Sequence, residues 1–223
     1  ADFRDAGINR LSLGVQSFSD QRLQALGRIH NGDEACAAVK AAKALGYERL
    51  NIDLMHGLPG QTVEQAMDDL EQAVALRPSH LSWYQLTIEP NTEFHSRPPT
   101  LPEDELLWSI QEQGQRYLAE AGFSQYEISA YSQEGEQSRH NLNYWRFGDY
   151  IGIGAGAHGK VTTADSRQLL RRWKLRQPKA YMTAVLEQQR GLSGEEVIAD
   201  EAIALEFMMN VLRLQQGVES DLF

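Results

Sequence analysis

Cysteine is almost missing from this chain. Cys36 is the single one among 223 residues, so no disulfide can form within it, and the expected setting is a reducing compartment, the cytoplasm. Long apolar runs are missing as well. Nothing approaches the roughly 18 consecutive apolar residues of a membrane-spanning helix, and no secretory leader pattern is visible. Positive charge is in deficit: 21 Lys and Arg against 31 Asp and Glu leave a net charge of −10, which argues against a nucleic-acid footprint. The one basic run, Arg171-Arg172-Trp173-Lys174, reads as a solvated or strand-edge feature. Low-complexity tracts and sequence-identical repeats are absent. So is an initiator methionine, and the chain stops at Ser220-Asp221-Leu222-Phe223 just after a helical pattern, so both ends read as cut. What remains is 42% hydrophobic, the composition of a globular protein long enough for one large domain or one and a half small ones.

The stretch richest in chemically able side chains is Arg139 to Lys160, RHNLNYWRFGDYIGIGAGAHGK. Asn141, Asn143 and the glycines Gly152, Gly154, Gly156 and Gly159 disfavour a long helix and favour turns, which predicts a loop–strand–loop segment. Tyr150-Ile151-Gly152-Ile153 reads as a short buried strand, and Tyr144, Trp145 and Phe147 as material for an aromatic wall. The plainer reading, an aromatic corner closing a hydrophobic core, stays open beside a binding role. Gly154-Ala155-Gly156-Ala157-His158-Gly159 fits a dinucleotide loop, but Val161-Thr162-Thr163 follows where a helix should open. A phosphate loop fails too, because Val161 stands where Ser or Thr must reach a metal.

Along the rest of the chain, apolar alternation predicts strands at Asn9–Gln16, Arg49–Met55 and Leu81–Ile88. Between them lie helices: Asp20 to about Leu26 with Ser19 as cap, one opened by Asp33 and closed at Gly46, and one led by the capping box Thr62–Gln65. Its stripe Val63, Ala66, Met67, Leu70, Ala73, Val74 is core. Pro102 starts a long helix to about Ala121. Strand–helix alternation of this kind is the pattern of a parallel sheet with outer helices. Gln125–Tyr131 reads as a fourth strand, Arg167–Leu175 as a pairing strand, and Pro178–Arg190 and Glu195–Leu214 as helices. Gly191-Leu192-Ser193-Gly194 reads as a linker, giving two regions: 1–190, and 191–223 as the start of a small truncated helical domain.

Three segments in order carry a family resemblance: Ser12-Leu13-Gly14-Val15-Gln16-Ser17-Phe18, Leu26-Gly27-Arg28, and Asn51-Ile52-Asp53-Leu54-Met55-His56-Gly57-Leu58-Pro59. They resemble the later barrel strands of radical S-adenosylmethionine (SAM) proteins of the coproporphyrinogen-oxidase-like group. His140-Asn141-x-x-Tyr144-Trp145 resembles the signature of its HemW haem-chaperone branch. The resemblance runs from about Gly7 to the end. It implies an α/β fold, the C-terminal portion of a partial (β/α) barrel with its active face at the carboxyl ends of the strands. It implies SAM contacts at Gln16, Arg28, Asp53 and Thr87, with the arginine suited to a carboxylate and the aspartate to ribose hydroxyls. It further implies haem at His140, Tyr144 and Trp145, with His140 a candidate iron ligand. The family's [4Fe–4S] cluster needs a three-cysteine loop, and Cys36 cannot supply it. The cluster ligands are therefore expected upstream of Ala1, and these 223 residues alone are expected to hold no cluster and run no catalysis. Two activities compete: a chaperone passing haem to an acceptor protein, and an oxygen-independent coproporphyrinogen III oxidase. His30, His56, His80 and His95 are expected to be structural or surface residues, and His158 a weaker candidate than His140.

Overall fold

In the computed structural model, residues 2–165 and 168–222 are described. They divide into two compact units, one ending at Gln137 and one beginning at Ser138. This is a different division from the one at residue 190 that the sequence suggests.

The first unit runs α1 (Asp2–Asp5), β1 (Arg10–Gln16), α2 (Asp20–Ala25), α3 (Gly32–Ala44), β2 (Arg49–His56), α4 (Val63–Ala75), β3 (His80–Gln85), α5 (Glu93–Ser96), α6 (Asp104–Glu120), β4 (Ser124–Glu127) and β5 (Ala130–Ser132). Strands β1, β2 and β3 are adjacent and parallel, as the strand–helix alternation requires. The sheet is mixed and open, in the order β1-β2-β3-β5-β4. The predicted fourth strand is a hairpin instead: β4 and β5 are antiparallel, and β5 lies antiparallel to β3.

Alternation sorts the residues of the three parallel strands onto two faces. Leu50, Ile52 and Leu54 are fully buried and form one core with Val39, Leu70, Ala73, Ile110 and Leu118, drawn from α3, α4 and α6. The capping box of α4 forms as predicted, with Gln65 N–H on the Thr62 hydroxyl and Thr62 N–H on the Gln65 amide oxygen. That of α3 uses Asn31 and Glu34, and the helix begins at Gly32, one residue ahead of the predicted start at Asp33. Ser19 occupies the N-cap position of α2 without a side-chain bond. The opposite face of the sheet is polar: Ser12, Asn51, Asp53, His80 and Ser82 lie in register across β1, β2 and β3.

The second unit comprises α7 (Arg139–Trp145), β6 (His158–Thr162), β7 (Leu169–Lys174), α8 (Pro178–Gln188), β8 (Leu192–Val197) and α9 (Asp200–Val211), with β6, β7 and β8 in an antiparallel sheet. Three sequence expectations are corrected here. Arg139–Trp145 is a helix, capped by the Ser138 hydroxyl on Asn141 N–H. Tyr150 to Ile153 is no buried strand: only Tyr150 makes a bridge, to Lys160, and Ile151 and Ile153 are 80% and 87% exposed. The supposed linker and first turn of a terminal helix form β8, where a side chain at Gly194 would meet the Trp173 indole at 2.2 Å. The basic run lies on β7, the central strand of this sheet and not an edge, with Arg172 paired to Glu195 and Arg171 to Glu206. Arg167, the first residue of that predicted strand, lies outside the described residues.

Candidate functional site

Gln16 is the last residue of β1 and is buried, with φ of 70°. This left-handed turn swings its amide toward β3, where the Tyr84 hydroxyl donates to its Oε1 at 2.8 Å. Burial pushes the Tyr84 phenol up, the charge of Asp53 adds to that, and the Arg28 guanidinium and the Gln16 bond pull it down. Tyr84 is therefore within electrostatic reach of both Asp53 and Arg28, and the four side chains gather toward the carboxyl ends of the parallel strands. Tyr84 went unread in the sequence. Its signal was parity, since it shares the polar face with His80 and Ser82 on one strand.

The Asp53 carboxylate is gripped from below. Ser12 donates to Oδ2 at 3.0 Å and the Asn51 amide to Oδ1 at 2.6 Å. Gly14 faces Asp53 in the β1–β2 register, and a Cβ there would lie 2.9 Å from the Gln16 Nε2. A bare backbone thus leaves room beside the carboxylate. The Gln16 amide nitrogen and the exposed Arg28 guanidinium have no hydrogen-bond or ion-pair partner among the described residues. A carboxylate acceptor, an amide donor, a free guanidinium and a phenol edge form a donor set that fits an amino acid joined to a ribose.

Thr87 does not join this group directly. β3 ends at Gln85, three residues before Ile88, the strand end that the sequence predicts. Thr87 is exposed and donates to Glu89. It borders a cleft of about 420 Å³ with Leu26, Gly27, Thr92, Phe94 and Arg97, so it stands beside the segment that leads into Arg28.

The loop after Gln16 is anchored by a buried aspartate. Asp69 on α4 accepts from the Ser17 hydroxyl at 2.8 and 3.0 Å and from Phe18 N–H at 2.7 Å. Burial raises its carboxyl, and these bonds pull it back down. Replacing Asp69 with alanine would orphan two buried donors, so a loss of about 1–3 kcal/mol is expected. A drop in the urea midpoint of Asp69→Ala, smaller in Asp69→Asn, checks this; an unchanged midpoint would contradict the anchoring role.

In the second unit, His140 and Tyr144 are one helical turn apart on α7, with rings edge to face at 4.6 Å. Tyr144 in turn packs on Tyr150 at 4.5 Å. His140 is exposed, and neither ring nitrogen has a hydrogen-bond partner among the described residues. The local order comes from elsewhere, from the Ser138 cap and from the Asn143 amide on the Asp149 carbonyl. A free imidazole backed by two phenol rings fits an axial ligand to haem iron. The other two aromatics of the expected wall have separate partners. Trp145 lies under the Arg213 guanidinium at 4.3 Å with its Nε1–H buried and unbonded. Phe147 packs on Phe207 and beneath the Lys160 ammonium.

The other histidines follow their structural reading in the first unit: His56 and His80 are buried, and His30 bonds the Val15 carbonyl. Among the described residues no group of three or more His, Cys, Asp or Glu is placed to hold a metal ion. Cys36 is half-buried on α3, packed against the core, so the residues present do not fit a [4Fe–4S] cluster. No described helix is long and apolar enough to cross a membrane.

The geometry is that of the radical SAM fold, and residues 1–73 match the Radical SAM superfamily. Coproporphyrinogen III oxidase (HemN) from Escherichia coli, a radical SAM enzyme, superimposes with a TM-score of 0.74 at 21% identity, over 95% of this chain and 51% of that one. Within that class the chain is homologous to the proteins named heme chaperone HemW. It is 56% identical to the one from Escherichia coli over 97% of its length and 52% identical to the one from Haemophilus influenzae over 98%. It also resembles the mitochondrial radical S-adenosyl methionine domain-containing protein 1 of Mus musculus, at 42% identity over 72% of the chain. The chain spans about half the length of the curated relatives it matches, 56% and 55% of the two bacterial proteins.

Proposed function

We propose that the full-length protein is a cytoplasmic haem chaperone that binds SAM and haem and hands haem to an acceptor protein. The observation that carries this is His140, an uncommitted imidazole inside a His-Asn-x-x-Tyr-Trp motif, in a chain 56% identical to a heme chaperone over 97% of its length. In this reading His140 ligates the iron or positions the haem, and Tyr144 and Tyr150 pack beside the macrocycle. Trp145 ends the same helix and contributes through its contact with Arg213. Gln16, Arg28 and Asp53 hold SAM: the guanidinium takes the methionyl carboxylate, Asp53 accepts from ribose hydroxyls, and Gln16 offers its free amide donor. Thr87 bounds the neighbouring cleft. When bound, SAM and an iron–sulfur cluster supply radical chemistry in this superfamily, and the thiolates for the cluster would have to come from outside these 223 residues.

The test is haem titration of the full-length protein, followed by absorbance. His140→Ala is expected to lose or shift the Soret band and to weaken binding about tenfold or more, the scale of one lost strong contact. An unchanged spectrum and affinity would remove His140 as the ligand. The fold likeness to coproporphyrinogen III oxidase keeps one rival in view: anaerobic turnover of coproporphyrinogen III by the reconstituted protein with SAM would replace the chaperone reading with the enzyme.

A further inference from the structure

We propose that His80, two hydrogen bonds removed from the Asp53 carboxylate, is the positioning residue that fixes how Asp53 meets its ligand. The inference rests on the reading of Asp53 as a SAM contact. Its basis is a chain of bonds on the polar face of the sheet, in which the direction of every proton can be derived.

Ser12, Asn51 and His80 stand in one row across β1, β2 and β3, and Asp53 and Ser82 stand one pleat higher. Asp53 as a carboxylate only accepts. The Asn51 amide nitrogen must therefore face it, at 2.6 Å, and the same nitrogen reaches the Ser12 hydroxyl at 2.7 Å. Ser12 accepts that bond and passes its own proton to the other carboxylate oxygen at 3.0 Å. With its nitrogen so placed, Asn51 turns its Oδ1 toward β3, where two groups meet it: the Ser82 hydroxyl at 3.1 Å and the His80 Nδ1 at 2.6 Å. A carbonyl oxygen has nothing to donate, so Nδ1 carries the proton. The remaining ring nitrogen, Nε2, then accepts from the Tyr126 hydroxyl at 2.8 Å.

The protons run one way: Tyr126 to His80, His80 to Asn51, Asn51 to Asp53. His80 is 1% exposed and meets Tyr126 edge to face as well, at 5.6 Å, so its ring cannot turn over without breaking both bonds. A ring flipped in tautomer would present a bare nitrogen to the Asn51 oxygen. The asparagine oxygen would then face a lone pair at 2.6 Å and keep only the longer bond from Ser82 at 3.1 Å, which favours rotation of the amide and loss of the donor that holds Asp53 Oδ1. The free lone pairs of the carboxylate point where they do because a neutral, Nδ1-protonated imidazole sits two bonds below them.

The experiment uses the full-length protein with its cluster reconstituted. SAM affinity is measured by calorimetry for the wild type, Asp53→Asn, His80→Asn and His80→Gln. The ring nitrogens are read by 1H–15N correlation with label at histidine only. Asparagine keeps a donor where Nδ1 stood; glutamine reaches toward Tyr126 and leaves the Asn51 oxygen with Ser82 alone. The expected result is an Nδ1–H tautomer for His80, loss of SAM binding in Asp53→Asn, a loss of about tenfold in His80→Gln and less than about threefold in His80→Asn. Asp53→Asn failing while His80→Gln binds as the wild type does would overturn the relay and leave the SAM reading standing. Asp53→Asn binding normally would overturn the SAM reading and the relay's role with it. Should His80→Gln fail to fold, the wild-type spectrum decides alone: an Nε2–H tautomer is incompatible with the relay.

Discussion

Replacing Gly114 with alanine is expected to destabilise the protein by about 2 kcal/mol or more, against the local rule. Gly114 sits inside α6, where alanine normally gains about 1 kcal/mol over glycine. Here a Cβ would stand 2.0 Å from Cη2 of Trp83 and 2.6 and 2.8 Å from its Cζ3 and Cζ2. The indole cannot step aside. It is 2% exposed, packed at 4.3 Å against the tilted His56 ring and held edge-on by Tyr131. The close approach of α6 to the sheet is built on the missing side chain. Urea midpoints should fall for Gly114→Ala. They should recover in part when Trp83→Phe is added, since the phenyl ring lacks the atoms that collide, and the non-additivity of the pair measures the contact. A more stable Gly114→Ala would show that the helix stands off the sheet.

Features governed by local periodicity were legible in the sequence. β1, β2 and β3 announced themselves by alternating apolar residues, and the helices between them dictated parallel pairing. Gln16 and Asp53 could be placed near strand ends for the same reason. Elsewhere long-range packing decided. Gln125–Tyr131 reads as one strand because no glycine or proline marks its break, yet the Ser129 carbonyl accepts from Trp83 N–H and splits it into a hairpin. Gly194 reads as a linker, but in the structure its hydrogen makes room for an indole on the next strand. The asparagines of Arg139–Trp145 argue against a long helix, and a short one forms nonetheless because Ser138 caps it. The polar half of each parallel strand was visible as residues and unreadable as a network. That Asn51 would bind Asp53 two positions on, and His80 across the sheet, depends on register, which the pattern of one strand does not contain.

Acid is expected to strip stability from this fold well above the carboxylate range. Burial depresses His56 from 6.5 to about 4, and burial together with the nearby Arg10 depresses His80 to about 3. Both rings are neutral in the folded protein throughout the mildly acidic range, while in the unfolded chain both take up a proton near 6.5. Between those values the unfolded state binds more protons, so stability rises with pH there. It is fully present above about 6.5 and is lost as pH falls toward 4, by about 1.4 kcal/mol per pH unit for each ring and about 2.7 for the two. The raised carboxyl of Asp69 works the other way, from the ordinary carboxylate range upward. Urea midpoints measured from about pH 7 to pH 5 should therefore decline steeply. His56→Phe separates the contributions. The His56 Nδ1 is buried without a partner, and a phenyl ring can keep the ring contact with Trp83, so stability near neutrality should hold while the acid slope falls by half. A flat profile over that range would mean that water reaches both rings. A steep slope that persists by half in His56→Phe would show His80 neutral in the folded protein across the mildly acidic range, the charge state that the Asp53 relay needs.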